Sequence, residues 1–139
     1  MVCELTGLPV ANASLLDEST AAAEAMFMIY NIYGGRRNTV FVSDKVFPQT
    51  LALIKTRAEP LGINVVVGDP ESEDFSDNKD LCGVIVQNPD VNGKITDWSD
   101  KSDEVHKSKG HMVIVQDILS STLHKTPGEM GADISCGST

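Results

Sequence analysis

The most constraining feature of this chain is a set of short apolar runs rich in β-branched residues and lacking polar alternation. They are TVFVS (Thr39 to Ser43), INVVVGD (Ile63 to Asp69), LCGVIVQNP (Leu81 to Pro89) and HMVIVQD (His111 to Asp117). A strand with one wet face alternates apolar and polar residues; a strand buried on both faces does not. Helical patterns separate most of these runs. AAAEAMFMIYNIY follows Asp17, Glu18, Ser19 and Thr20, which offer caps and first-turn acids, and it stops at Gly34-Gly35. PQTLALIKTRAEPLG begins with a proline suited to a first helical turn and ends at Pro60 and Gly62. DWSDKSDEVHKSKG reads as a polar helix stopped by Gly110. ILSSTLHKT reads as a short helix or turn, Pro127-Gly128 as a turn, and ADISCGS (Ala132 to Ser138) as a last strand. The predicted order is α, β, α, β, β, α, β, β. Such alternation predicts an α/β fold with a mostly parallel sheet between helices.

The length of 139 residues suits one domain. A net charge of -9 argues against a phosphate-backbone binder, so no nucleic-acid partner is expected. No apolar run approaches the roughly 20 residues needed to span a bilayer, so no membrane association is expected. The acidity is local: eleven acids against three lysines between Asp69 and Glu104 account for eight of the nine net negative charges. A solvated loop and helix face explain them, and a docking surface for a basic partner is the alternative. Three scattered cysteines, Cys3, Cys82 and Cys136, form neither a disulfide framework nor a zinc ribbon. Cys82, inside a strand, reads as a small core residue. His106, His111 and His124 lack the spacing of metal ligands, and no metal is expected.

The segment from Glu4 to Met26, ELTGLPVANASLLDESTAAAEAM, carries the most information. A turn with Ser and Thr leads into an alanine-rich helix. Free N–H groups and the helix dipole at such an end suit an anion, whereas a capped and tightly packed helix needs no ligand.

That segment, with FPQTLALIKTRAEPLG, GVIVQNPDVNGKITDW and TPGEMGADISCGS, resembles the N-terminal half of the glycine cleavage system P-protein, in order and over almost the whole chain. The resemblance implies a partial fold-type-I large domain, of the aminotransferase-like kind, truncated at both ends, with residues 1–139 forming part of the non-lysine half. It implies a fragment of the glycine dehydrogenase (decarboxylating) that uses pyridoxal 5'-phosphate (PLP). The implied partners are the C-terminal catalytic half or subunit, the lipoylated H-protein and glycine. The implied location is the mitochondrial matrix in a eukaryote and the cytoplasm otherwise.

The resemblance places Ser19, Thr20 and Ala21 at a degenerate phosphate-turn position. Asn12, Ser14 and Asp17 are expected to face the cleft, or else to cap the helix and pack an interface. Ile114 falls where the family's catalytic half carries an aspartate against the pyridine nitrogen, with Asp117 three residues on. The Schiff-base lysine has no counterpart, and Lys125 precedes the Pro-Gly turn. PLP is therefore expected in the intact enzyme and not on this chain alone, which is expected to be inactive. The alternatives are a non-catalytic module that pairs with the catalytic half or with H-protein, and another fold-type-I enzyme.

Overall fold

The computed structural model describes residues 1–139. Five parallel strands form one sheet in the order β2-β1-β3-β4-β5. They are β1 (Thr39–Ser43), β2 (Asn64–Gly68), β3 (Leu81–Asn88), β4 (His111–Gln116) and β5 (Ile134–Cys136). The helices are α1 (Val2–Thr6), α2 (Glu18–Ile32), α3 (Pro48–Ala58) and α4 (Ser99–Lys107). Single 3-10 turns follow at Glu59–Leu61 and Ser120–Thr122.

Both faces of the sheet are covered, as the unbroken apolar runs demand. On one face, α2 and α3 pack Ala22, Met26, Ile29 and Ile54 onto Val40, Val42, Ile85 and Val113. On the other, Val105 of α4 joins Phe75, Trp98 and Met130 against Val84, Val86, Met112 and Ile114. Every residue of β3 is buried, since β3 is the middle strand and is covered on both sides. Burying one such Val or Ile contributes about 1.5–3 kcal/mol.

The predicted elements are all present; the first strand keeps its limits, α2 begins earlier, at Glu18, and most of the others are shorter. The second strand begins at Asn64, because Ile63 still donates its N–H to Ala58 behind it. It lies at the sheet edge, with Val66 and Val67 more than a third exposed, so its apolar run does not mean full burial. The fourth strand stops at Gln116, leaving Asp117 outside and exposed. The final strand keeps only Ile134–Cys136, and the stretch ILSSTLHKT contributes one 3-10 turn. No helix is long and apolar enough to cross a membrane.

Helix α1 is the element with no sequence signal. It is a single turn without a side-chain cap, closed by Gly7 in the left-handed region at φ 72°. Its exit is fixed by close backbone contact: Gly128 donates its N–H to Thr6 at 2.8 Å. A Cβ on Gly128 would lie 2.1 Å from the Gly7 carbonyl oxygen, so the crossing admits no side chain there.

Candidate functional site at the carboxyl edge of the sheet

Helix α2 runs antiparallel to the strands it covers. Its C-cap residue, Tyr33, reaches the start of β4, where the hydroxyl contacts His111 Nδ1 at 2.8 Å and the Lys109 carbonyl. Ile29 lies over Gly83 near the start of β3; a Cβ there would sit 2.8 Å from Ile29 Cδ1. The first turn of α2 therefore lies at the carboxyl ends of the strands. Burial pushes the thiol of Cys136, at the end of β5, up to about 12, and Glu18 close by disfavours the thiolate further. Strand order reverses beside β1, since β2 adds on one side and β3 on the other. In open α/β sheets the crevice outside such a reversal is the usual ligand position.

Four of the six sequence-predicted residues meet in this first turn. Asp17 caps the helix, its Oδ1 accepting from the Thr20 N–H at 2.7 Å. These hydrogen bonds from Thr20 hold the Asp17 carboxyl below the usual carboxylate range. Ala21 donates its N–H to the Asp17 carbonyl at 3.0 Å. Ser19 Oγ shares a hydrogen bond with Thr50 Oγ1 at 2.9 Å, joining the starts of α2 and α3. Thr50 is fully buried.

Asn12 and Ser14 lie apart from that turn. Both are exposed, on the segment leading into α2. Asn12 borders the later turns of the helix, beside Phe27 and Met28, because the segment doubles back along its outer face.

At the strand ends the structure adds residues that the sequence did not single out. Gln87 and Gln116 are buried on neighbouring strands, and the Oε1 of each meets no donor from the chain. Gln116 Nε2 donates to Ser120 Oγ and Ser121 Oγ, both at 3.1 Å. Asn88 clamps the following loop with its amide, donating to the Thr96 carbonyl and accepting from the Thr96 N–H, each at 3.1 Å. Only the burial of a polar residue at the end of an apolar run could have flagged them.

The remaining candidates are structural in their surroundings. Ile114 is fully buried in the core beneath α4. Lys125 is exposed and bonds Asp97 Oδ2 at 2.8 Å. This pair and the hydrogen bonds from Ser99 hold the Asp97 carboxyl at about 2. Cys82 is buried in the core, which pushes its thiol up to about 11. His106 and His111 sit near the amino edge, bonded to Asp133 at 2.8 Å and to Tyr33 respectively. No three His, Cys, Asp or Glu residues come together as a metal site.

The fold and this edge define the class: a parallel α/β domain with an alanine-rich helix delivered N-terminus first to the carboxyl edge of the sheet. Comparison with known proteins narrows the class. The family model of the glycine cleavage system P-protein matches residues 1–139, and the chain belongs to that family. It is 51% identical over 140 residues to the mitochondrial glycine dehydrogenase (decarboxylating) of Dictyostelium discoideum. It is 49% identical over 139 residues to glycine dehydrogenase (decarboxylating) of Rhizobium etli. Each alignment takes in the whole of this chain, which spans 14% of the relative's length.

A solved glycine decarboxylase (P-protein) of the glycine cleavage system, in inhibitor-bound form, superposes with a TM-score of 0.89 at 31% identity. The match covers 99% of this chain and 32% of that one. A methionine gamma lyase, CalE6 from Micromonospora echinospora, shares the fold with a TM-score of 0.65 at 21% identity, over 88% of this chain and 32% of its own. The α/β fold expected from the sequence is thus the fold of the family.

Proposed function

We propose that this chain is a portion of the glycine decarboxylase of the glycine cleavage system, from its non-lysine half. The carrying observation is an unbroken family match over residues 1–139. The intact enzyme would decarboxylate glycine and pass the aminomethyl group to the lipoyl arm of H-protein. This portion would form one wall of the cleft and support the lysine-bearing half. The mitochondrial matrix is the proposed location in a eukaryote and the cytoplasm in a bacterium, in keeping with relatives of both kinds.

PLP, whose ring serves as an electron sink in such decarboxylations, is assigned to the other half. The residues of this chain do not fit it. The Asp17 carboxylate already accepts from the first turn of α2 and would repel a phosphate there. The Ser19 hydroxyl is engaged with Thr50. Ile114 has no polar atom to offer a ring nitrogen, and Lys125 is held by Asp97. The same misfit favours its reading as a non-catalytic module that binds the catalytic half or H-protein.

The test is borohydride reduction after incubation with PLP. This chain is expected to show no Schiff-base band and no label, whereas a full-length relative shows both, together with glycine–bicarbonate exchange. Label on Lys125 would overturn the assignment.

A further inference from the structure

We propose that the amino edge of the sheet is a docking surface for a short carboxylate-bearing segment of a partner protein. Helices α2 and α4 end at this edge, where β3 and β4 begin. Arg37 Nη1 joins the Leu81 carbonyl, at the start of β3, to the Ser108 carbonyl, just past α4. Tyr33, at the end of α2, reaches the Lys109 carbonyl with its hydroxyl, and Arg36 Nε donates to the Tyr33 carbonyl at 2.9 Å. These contacts gather Arg36, Lys107 and Lys109 at one corner. All three are exposed, and none forms an ion pair. Lys79, exposed and two residues ahead of β3, adds a further cation. The acids at this edge are Asp77 and Asp80, on the same loop, and Asp133, which His106 and the Met112 N–H already engage at 2.8 Å. A chain of net charge -9 thus carries a basic corner.

One of these cations is held against the preference of the backbone. Helix α4 closes as a Schellman turn: Gly110 donates its N–H to the Val105 carbonyl and Lys109 to the His106 carbonyl, both at 2.9 Å. The left-handed position of that turn belongs to Lys109, at φ 63°, the one non-glycine residue of the chain with positive φ. Glycine fills this conformation without strain, as Gly7 does after α1 and Gly62 after the turn at Glu59–Leu61. The helix dipole favours cations within the last turn, and Lys109 lies beyond it. A strained residue kept where glycine would serve the fold better points to a use for its side chain.

The occupant follows from the extent of the positive charge. Asp100 and Asp103 are exposed on α4 in the turns before Lys107, so a long phosphate backbone laid across the corner meets like charge. A short acidic segment of a protein fits between them. The surface stands at the opposite edge from the candidate site, and its role does not depend on decarboxylation.

The experiment titrates the 139-residue chain into a fluorescein-labelled oligoglutamate and reads anisotropy at low salt. Saturable binding is expected, weakened about tenfold when Arg36→Gln, Lys107→Gln and Lys109→Gln are combined. Lys109→Gly is the second variant: its melting temperature is expected to rise by about 2 °C while its affinity for the peptide falls. No saturable binding by the unaltered chain, or an unchanged affinity in the triple variant, would overturn the proposal. A lower melting temperature in Lys109→Gly would make the lysine a structural choice and would also overturn it. Oligothymidylate of equal length is titrated in parallel; tighter binding to it than to oligoglutamate would assign the edge to phosphate instead.

Discussion

At the scale of single residues, close backbone approach sets the tightest limits. Gly83 on β3 faces two constraints, since a Cβ there would lie 2.2 Å from the His111 carbonyl oxygen and 2.8 Å from Ile29 Cδ1. The first is backbone of a paired strand and has little freedom to yield. Gly83→Ala is expected to cost about 1–3 kcal/mol, read as a fall in the urea midpoint at unchanged slope. An unchanged midpoint would mean that β3 and β4 separate more easily than their register suggests. None of this was legible beforehand, because a glycine inside an apolar run looks the same whether or not backbone approaches it. The cap was legible: Asp17 stands before an alanine-rich helix, and short polar residues are preferred there. Gln87 and Gln116 were not, since the end of a buried strand is a tertiary fact.

At the scale of elements, Arg37 binds three pieces of the fold together. It follows the Gly34-Gly35 stop of α2, where the sequence predicts only a cation near a helix end. In the structure its Nη1 donates to the Leu81 carbonyl at 2.9 Å and to the Ser108 carbonyl at 2.7 Å. Its guanidinium also lies over the Tyr33 ring, 4.9 Å from the centroid. It thereby ties the start of β3 to the end of α4. Arg37→Ala is expected to lower stability by about 1.5 kcal/mol, and Arg37→Lys to recover part of that through charge alone. Thermal melting of both variants checks this; equal loss in the two would assign the effect to fork geometry. The strands and α2 to α4 were legible because each has a period or an unbroken apolar run longer than one turn. Helix α1 was not, because five residues held from outside carry no period of their own.

At the scale of the whole molecule, negative charge is concentrated between Asp69 and Glu104, in the loop after β2, the loop after β3 and α4, while the cores remain apolar. The ion pair between Asp97 and Lys125 links the loop after β3 to the segment after β4. Its carboxyl lies at about 2, below the usual value near 3.9. The stabilisation it gives is thus fully present above about pH 4 and is lost as pH falls through about 2. Because both partners are about half exposed, solvent screening keeps the effect small. The single tryptophan, Trp98, is buried next to Asp97 and reports the transition by fluorescence. Asp97→Asn is expected to flatten the acid limb between about pH 4 and pH 2, whereas an identical limb would show that other carboxylates govern it.

The crossing of Gly7 and Gly128 bears on how tension would travel through this protein. A pull applied at Met1 reaches the turn ahead of β5 through the hydrogen bond between Gly128 and Thr6, and bypasses α2. The ten residues from Leu8 to Asp17 join two moorings, one at that crossing and one at the cap of α2. A load on Met1 would thus be borne first by the segment ahead of β5 and would reach the edge that carries the candidate site only through the connection from Leu8 to Asp17.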